Sequence, residues 1–171
     1  MCIRDRAEVA RADRIVLPGQ GAFGVCFAGL AALDGMIETL CASVLDRGVP
    51  FFGICVGMQL MATASLEHRR HDGFDWIRGE VVPMTPSDRT LKIPHMGWNE
   101  VRFDKTYSDL NGYYYFANSY YADVSEQTTA TSSYGDKFSA MTSIKNFTGV
   151  QFHPEKSGSL GYQFLKRFLS S

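Results

Sequence analysis

The stretch Pro50–Met61, PFFGICVGMQLM, sets a cysteine between two glycines where an apolar run gives way to a helical pattern. The first half of this stretch is apolar on both faces, which is typical of a buried strand in a parallel sheet. We expect a helix to follow directly over residues 56–66. Gly53 and Gly57 lie two residues either side of Cys55, and a sharp strand-to-helix turn leaves room there only for a hydrogen side chain. The stretch therefore predicts that Cys55 stands on a nucleophile elbow at the carboxyl edge of an α/β sheet.

The setting of Cys55 also predicts its chemistry. A helix that begins at Val56 would favour the thiolate over the thiol and would direct a backbone N–H at an oxyanion formed on an attacked carbonyl. The alternative is a buried structural cysteine at a tight junction. No cysteine belongs to a CxxC pair and a chain of this size needs no disulfide, so we expect free, buried thiols at the remaining three positions, Cys2, Cys26 and Cys41.

A second glycine-rich turn precedes this elbow. A short apolar strand at residues 14–17 runs into PGQGAFG, residues 18–24, in which the amide of Gln20 or its neighbour Gly21 is placed to supply the other half of an oxyanion hole. The alternative is a phosphate-binding loop, but the segment has no Lys followed by Ser or Thr and does not match GxGxxG. A helix follows, with an apolar face and a C-cap at Gly48; that face is formed by Leu33, Met36, Ile37, Leu40 and Val44.

The residue pattern in the remainder of the chain differs from that of the first part. From residue 79 to residue 152, short β-rich segments are separated by turn residues, as in antiparallel hairpins. A closing helix then places Leu160, Phe164, Leu165, Phe168 and Leu169 on one face. The order of elements predicts an α/β fold with a mostly parallel central sheet, helices on its faces and additional antiparallel strands, within one domain over residues 1–171.

A candidate base and its orienting acid lie far downstream, in GVQFHPEKSG, residues 149–158. His153 follows a strand that Pro154 ends, and Glu155 is close enough to hold the imidazole in one tautomer. A nucleophile, a base and an acid are then all present. The other histidines are interpreted as ordinary surface or core residues; His68 and His71 have HxxH spacing without a third ligand, so we expect no metal.

Composition and charge exclude several classes of protein. The chain has 17 Lys and Arg residues against 18 Asp and Glu residues, a net charge of −1, which does not favour nucleic acid or an anionic membrane as a partner. No apolar run approaches the roughly 20 residues of a membrane span, and the start lacks the apolar centre of a signal peptide. We therefore expect a cytoplasmic protein.

Taken together, the motifs identify the chain as a member of the class I, triad-type glutamine amidotransferases. GICVGMQ resembles that family's GxCxGxQ elbow, and GVQFHPE resembles its His-x-Glu signature. Three further segments narrow the resemblance to the branch formed by the glutaminase subunits of imidazole glycerol phosphate synthase, in histidine biosynthesis. These segments are LPGQGAFG, IPHMGWNEV and YYYFANSYYA. The resemblance implies a flavodoxin-like three-layer fold and needs no cofactor.

The resemblance also implies roles for individual residues. Cys55 would attack the side-chain carboxamide of glutamine and form a γ-glutamyl thioester. His153 would protonate the departing ammonia and activate water, while Glu155 orients it. The backbone amides of Gln20 and Val56 would hold the oxyanion. The amino-acid head group would be bound by Gly21, Gln59, Ser119 and Tyr120.

A partner is implied as well. Members of this branch pass ammonia to a (β/α)₈-barrel cyclase subunit, with which they form a heterodimer, and the cyclase makes imidazole glycerol phosphate and aminoimidazole carboxamide ribotide. The residues expected to face this partner are His95, Met96, Trp98, Asn99 and Lys156. The alternatives are a class I amidotransferase that serves an anthranilate, guanylate or carbamoyl phosphate synthase, and a truncated, non-catalytic remnant.

The chain departs from the family pattern at two places. The family opens with a strand, a loop and a helix, whereas residues 1–13 are atypical, so we expect that first strand and helix to be missing. Family members also often have His where this chain has Asn118, which cannot titrate near neutral pH.

Overall fold

A computed structural model describes residues 5–170, so Cys2 and the first part of the atypical start lie outside it. The helices are α1 (Arg6–Arg11), α2 (Phe23–Ala31), α3 (Met36–Cys41, continued by a π-helical turn at Ala42–Asp46), α4 (Val56–Gln59) and α5 (Gly158–Ser170), with 3₁₀ turns at Lys105–Leu110 and Pro154–Lys156. The strands are β1 (Ile15–Gly19), β2 (Phe51–Cys55), β3 (Ala62–Ser65), β4 (His71–Asp72), β5 (Ile77–Pro83), β6 (His95–Phe103), β7 (Gly112–Asn118), β8 (Tyr120–Ala122), β9 (Thr128–Tyr134), β10 (Asp136–Ile144) and β11 (Phe147–Val150).

The main sheet has seven strands in the order β1-β2-β11-β10-β9-β6-β7. The α/β class is confirmed, but the sheet is less parallel than the sequence predicted. Within the described residues only the β1–β2 and β2–β11 pairs are parallel. The other four pairs are antiparallel. A single residue, Gly135, joins β9 to β10, and so short a connection allows only antiparallel pairing.

A smaller sheet, β4-β3-β5-β8, corrects the expected helix over residues 56–66. Helix α4 ends at Gln59, and residues 62–65 form β3 instead. β3 pairs in parallel with β5 and antiparallel with β4. A short apolar run does not distinguish a helix from a buried strand, so these strand pairings decide the outcome.

The core lies on both faces of β2, whose five residues are all buried. Successive side chains of a strand point to opposite faces. Phe52 accordingly packs into a cluster with Phe164 of α5, whereas Phe51 packs into a second cluster with Met36 and Leu40 of α3. The expected layers of helix, sheet and helix are therefore present around β2.

The helices largely follow their predicted patterns. Met36, Leu40 and Val44 are buried, and Gly48 takes a left-handed φ of 70° after the π-helical turn. In the closing helix α5, Phe164 is buried as predicted, but Leu169, which was predicted on the same apolar face, is 60% exposed. Among residues 5–170, no single helix has the length and apolar character to cross a bilayer; α2 and α3 with its π-helical turn meet that test only as a pair bent by 96°.

Candidate active site

Three neighbouring parallel strands end at one edge of the main sheet, and each delivers a candidate site residue there. β1 pairs with β2 up to the Gly19–Cys55 pair, so Gln20 follows at the edge where β2 ends. β2 pairs with β11 up to the Ile54–Val150 pair, so His153 follows three residues after the end of β11. Parallel strands have their carboxyl ends on the same side. The topology therefore gathers segments that lie almost a hundred residues apart in the sequence.

The backbone at Cys55 has the shape of a nucleophile elbow. Cys55 has φ 54° and ψ −111°, a strained conformation for a residue with a Cβ. A Cβ at Gly57 would overlap the carbonyl oxygen of Leu17 in β1, and a Cβ at Gly53 would lie 2.6 Å from the carbonyl oxygen of Gly57. These contacts confirm that close backbone approach requires both glycines.

Cys55 opens into a cavity of about 530 Å³ at this edge of the sheet. The cavity is lined by most of the residues predicted for the site, including His153. Its remaining lining comes from Glu67 and His68 after β3, Pro94 before β6, and Ala117 and Asn118 at the end of β7. The predicted lining residues are Gln20, Gly21, Cys55, Val56, Gln59, Ser119, Tyr120, His153 and Lys156. Glu155 does not line the cavity but contacts His153.

The environment of Cys55 corrects one expectation. Burial raises the pKa of the Cys55 thiol to about 11, and the nearby Glu155 carboxylate adds to this, while hydrogen bonds from the Val56 amide and Gln151 oppose it. Gln151 Nε2 lies 3.6 Å from Cys55 Sγ. The four-residue helix α4 does not offset the loss of solvation, so the resting group is a thiol and not the expected thiolate. The three described cysteines are free, as predicted, but Cys26 and Cys41 are half-buried and not buried as expected.

This raised pKa predicts the pH dependence of alkylation. The thiolate is the reactive form, so the rate of iodoacetamide modification at Cys55 is expected to rise about tenfold per pH unit between pH 7 and pH 10. Peptide mass spectrometry of timed samples measures this rate for Cys55 separately from the other cysteines. A rate that is already constant below pH 8 would show that the resting cysteine is ionised.

His153 is held firmly by its surroundings. Its side chain is buried, and Nδ1 lies 2.8 Å from Glu155 Oε1. Its backbone N–H donates to the Tyr115 carbonyl of β7 at 2.8 Å, and its carbonyl accepts from Ser157 Oγ at 2.6 Å. Because Glu155 occupies Nδ1, the other ring nitrogen, Nε2, is the one left for proton transfer.

The loop that follows β1 contains a glycine, Gly21, whose backbone conformation other residues rarely adopt. Gly21 has φ 100°, and a Cβ there would meet no atom within 4 Å, so its backbone conformation and not space selects glycine. Cys26 Sγ donates to the Gln20 carbonyl at 3.4 Å, which fixes this peptide from the side of α2. The loop and the Val56 amide border the same cavity as Cys55.

A chain of buried side-chain amides supports the cavity floor. Gln59 Nε2 donates to the Tyr120 carbonyl at 3.1 Å and to Gln151 Oε1 at 2.9 Å, and Gln151 in turn reaches Cys55 Sγ. Gln59 is therefore already engaged inside the protein. Asn118 Nδ2 donates to the same Tyr120 carbonyl at 2.9 Å, while its Oδ1 has no partner among the described residues.

Sequence reasoning missed two residues at the site. Gln151 is fully buried directly after β11, and the signal that was available is a polar residue inside an otherwise apolar buried run. Glu67 lines the cavity, and its Oε2 accepts the Phe23 N–H at the start of α2 at 2.6 Å. Nothing in the sequence around Glu67 indicates this contact, because it joins two residues that lie 44 positions apart.

Of the residues predicted to face a partner, some are exposed on the free chain and one is buried. Met96 is 64% exposed and Trp98 is 56% exposed, on the outer face of β6, and Lys156 Nζ lies 5.7 Å from the ring centroid of Tyr115 beside them. His95, however, is buried and stacks on Tyr134 with 4.0 Å between ring centroids, because alternation along β6 turns it inward. Burial lowers the pKa of His95 to about 4, so it is neutral. Asn99 is half-buried and donates to the Ser133 carbonyl.

Comparisons with known proteins place the chain in one family. The family described as glutamine amidotransferase class-I matches residues 4–171. Imidazole glycerol phosphate synthase subunit HisH of Cereibacter sphaeroides is 45% identical over 98% of this chain and 83% of that protein. The protein of the same name from Agrobacterium fabrum is 48% identical over 95% of this chain and 80% of that protein. A solved glutamine amidotransferase structure has the same fold, with a TM-score of 0.73 at 14% identity over 98% of this chain and 83% of that one.

Proposed function

The chain belongs to the class I glutamine amidotransferases, and we propose that it hydrolyses glutamine to glutamate and ammonia and delivers the ammonia to the cyclase of imidazole glycerol phosphate synthase. The cavity that brings Cys55 and His153 to one sheet edge carries this proposal. The relatives named as synthase subunits support the choice of acceptor. A single domain over residues 1–171 and a cytoplasmic location both fit this role.

Acylation begins from a neutral thiol. As Cys55 Sγ attacks the side-chain carbonyl carbon of glutamine, its proton passes to Nε2 of His153, which avoids a free thiolate in a buried site. The carbonyl oxygen becomes an oxyanion, to which the Val56 amide and an amide of the Gln20 loop donate. The carbon–nitrogen bond then breaks, ammonia leaves with the proton held by His153, and a γ-glutamyl thioester remains on Cys55.

Deacylation uses the same groups in reverse. Water attacks the thioester carbon and gives a proton to His153, and the sulfur leaves with that proton as glutamate is released. Glu155 accepts a hydrogen bond from Nδ1 at 2.8 Å, so it fixes the ring and stabilises the imidazolium that forms twice in each cycle. The hydrogen bonds of the His153 backbone to Tyr115 and Ser157 hold in place the residue that carries the ring.

The glutamine head group has a candidate anionic partner in Glu67. Its Oε2 is held by the Phe23 amide, which leaves Oε1 to accept from the substrate's α-ammonium group. The predicted role of Gln59 becomes indirect, since both of its observed hydrogen bonds hold the cavity wall at Tyr120 and Gln151.

The outer face of β6 and β7 is the proposed docking surface for the cyclase barrel in a heterodimer. Trp98 pairs with Tyr115 across the two strands, and Met96 pairs with Ala117, which also lines the cavity. Tyr115 accepts the His153 N–H. A partner seated on this surface would thus contact the strand that holds the base, which supports stronger glutamine hydrolysis in the complex than by the free chain.

Substitution of Trp98 tests this surface and the acceptor together. Trp98→Glu places a charge in the centre of an apolar interface and is expected to weaken binding of the cyclase subunit about thirtyfold or more. Isothermal titration of the full chain with the cyclase measures the affinity, and glutamate release with and without cyclase measures stimulation. Leu45→Glu is the matched control, because Leu45 is 51% exposed at the far end of α3 and should leave binding unchanged.

The alternative within the family is that the chain supplies ammonia to another synthase. Pull-down with the anthranilate, guanylate and carbamoyl phosphate synthase partners distinguishes it, since tight binding to any of these and none to the cyclase would overturn the proposed acceptor. A chain that binds the cyclase but releases no glutamate from glutamine would be a non-catalytic remnant.

A further inference from the structure

A buried amide side chain lies within hydrogen-bond reach of the reacting sulfur. Gln151 is the first residue after β11, its side chain is fully buried, and its Nε2 lies 3.6 Å from Cys55 Sγ. Its backbone N–H donates to the Ala140 carbonyl of β10 at 2.9 Å. The main sheet therefore holds Gln151 at a fixed point next to the elbow.

The orientation of this amide is determined by a main-chain carbonyl. The Tyr120 carbonyl can only accept a hydrogen bond, so Gln59 directs its Nε2 towards it, at 3.1 Å. The same Nε2 donates to Gln151 Oε1 at 2.9 Å. Because Gln59 engages its oxygen, Gln151 presents the donor end of its amide to Cys55 Sγ. The arrangement thus places a donor, and not an acceptor, at the sulfur.

The sulfur of Cys55 needs such a donor when it carries negative charge. Burial raises the pKa of its thiol to about 11, and Glu155 and Cys26 raise it further, whereas the Val56 amide and Gln151 lower it. In the proposed mechanism the Val56 amide donates to the oxyanion while the carbonyl carbon is tetrahedral. Among the described groups that contact the sulfur, Gln151 is then the donor left for it, besides the proton of the catalytic histidine.

We propose that Gln151 donates a hydrogen bond to the Cys55 sulfur as it leaves the tetrahedral intermediate, and so speeds hydrolysis of the thioester. In that step water has added to the thioester carbon and the carbon–sulfur bond breaks. Its electron pair passes to the sulfur, which takes the proton held by His153. The Gln151 N–H stabilises the negative charge that develops on the sulfur before the proton arrives. The inference deepens the proposed glutaminase function and rests on it.

Two variants of the full chain that remove this donor test the proposal. Gln151→Met keeps a side chain of similar length, and Gln151→Asn keeps a buried amide but withdraws it from Cys55 Sγ by one methylene group. Without glutamine, iodoacetamide modification of Cys55 at pH 8 is expected to be about fivefold slower than in the wild type, the effect of one hydrogen bond lost from the thiolate.

Turnover of glutamine with the cyclase subunit supplies the second readout. In both variants kcat should fall about tenfold. Because the slowed step follows acylation, the γ-glutamyl thioester should accumulate on Cys55, where mass spectrometry of the acid-quenched chain detects it. A role of Gln151 in packing alone would produce neither the thioester nor the slower alkylation.

Asn146→Ala is the matched control at the opposite end of the same strand. Asn146 directly precedes β11, and its Nδ2 donates to the Val44 and Val49 carbonyls at 2.8 Å. This variant should lower the free energy of unfolding but leave kcat and the alkylation rate of Cys55 unchanged. No thioester in the folded Gln151 variants, or alkylation as fast as in the wild type, would overturn this inference while the glutaminase function stood. If the wild type released no glutamate from glutamine, the proposed function would fail and this inference with it.

Discussion

Replacing Cys55 with alanine is expected to reduce glutamate release from glutamine by a factor on the order of a thousand or more. The substitution removes the sulfur that accepts the γ-glutamyl group, and no other described cysteine lines the cavity. Binding of glutamine should persist, since the head group is bound by other residues. Glutamate release by the full chain with the cyclase, measured with a coupled dehydrogenase, gives the result.

Cys41→Ala is the control for this experiment. Cys41 is half-buried in α3 and belongs to the cluster on the other face of β2, away from the cavity. The activity of Cys41→Ala should stay within about a factor of two of the wild type, since Cys41 contacts no group of the site. Activity of Cys55→Ala close to that of Cys41→Ala would exclude a thioester mechanism.

Gly57→Ala is expected to have the largest effect on stability, a loss of about 3 kcal/mol or more in the free energy of unfolding. The added methyl group would overlap the Leu17 carbonyl oxygen in β1, so either β1 or the elbow must move. Displacement of the elbow also moves Cys55, so glutamine hydrolysis should fall in the protein that still folds. Urea unfolding followed by circular dichroism measures the stability.

Gly29→Ala is the matched control for the glycine substitution. Gly29 lies inside α2, and a Cβ there meets no atom within 4 Å. Alanine is the better helix former, so this variant should be stabilised by about 0.5 to 1 kcal/mol. Equal stability of Gly57→Ala and the wild type would contradict the packing described at the elbow.

The elbow could be predicted from sequence because its causes are local. Gly53 and Gly57 flank Cys55 at fixed spacing, and steric exclusion between neighbouring backbones acts over a few residues. His153 was found for a similar reason, since Pro154 ends a buried strand. That these segments meet depends on β2 and β11 being neighbours, which the family resemblance implied and periodicity alone did not.

The sequence-based predictions are wrong at the places where tertiary packing determines the local structure or the ionisation of a group. Residues 62–65 form β3 because β4 and β5 pair with them, and no local propensity distinguishes that from a longer helix. His95 belongs to a motif expected at a surface, yet the alternation of β6 directs it between aromatic rings. The Cys55 thiol was expected to ionise on the strength of a helix start, but the loss of solvation in the folded chain outweighs a helix of four residues.

The most direct test of the account is covalent labelling with 6-diazo-5-oxo-L-norleucine, an electrophilic analogue of glutamine, followed by peptide mass spectrometry. We predict one label per chain, on Cys55, with protection by glutamine and with a much slower reaction in His153→Asn. A label on another residue, or glutamine hydrolysis that continues after Cys55 is fully modified, would contradict the proposal that this cysteine and this histidine act together.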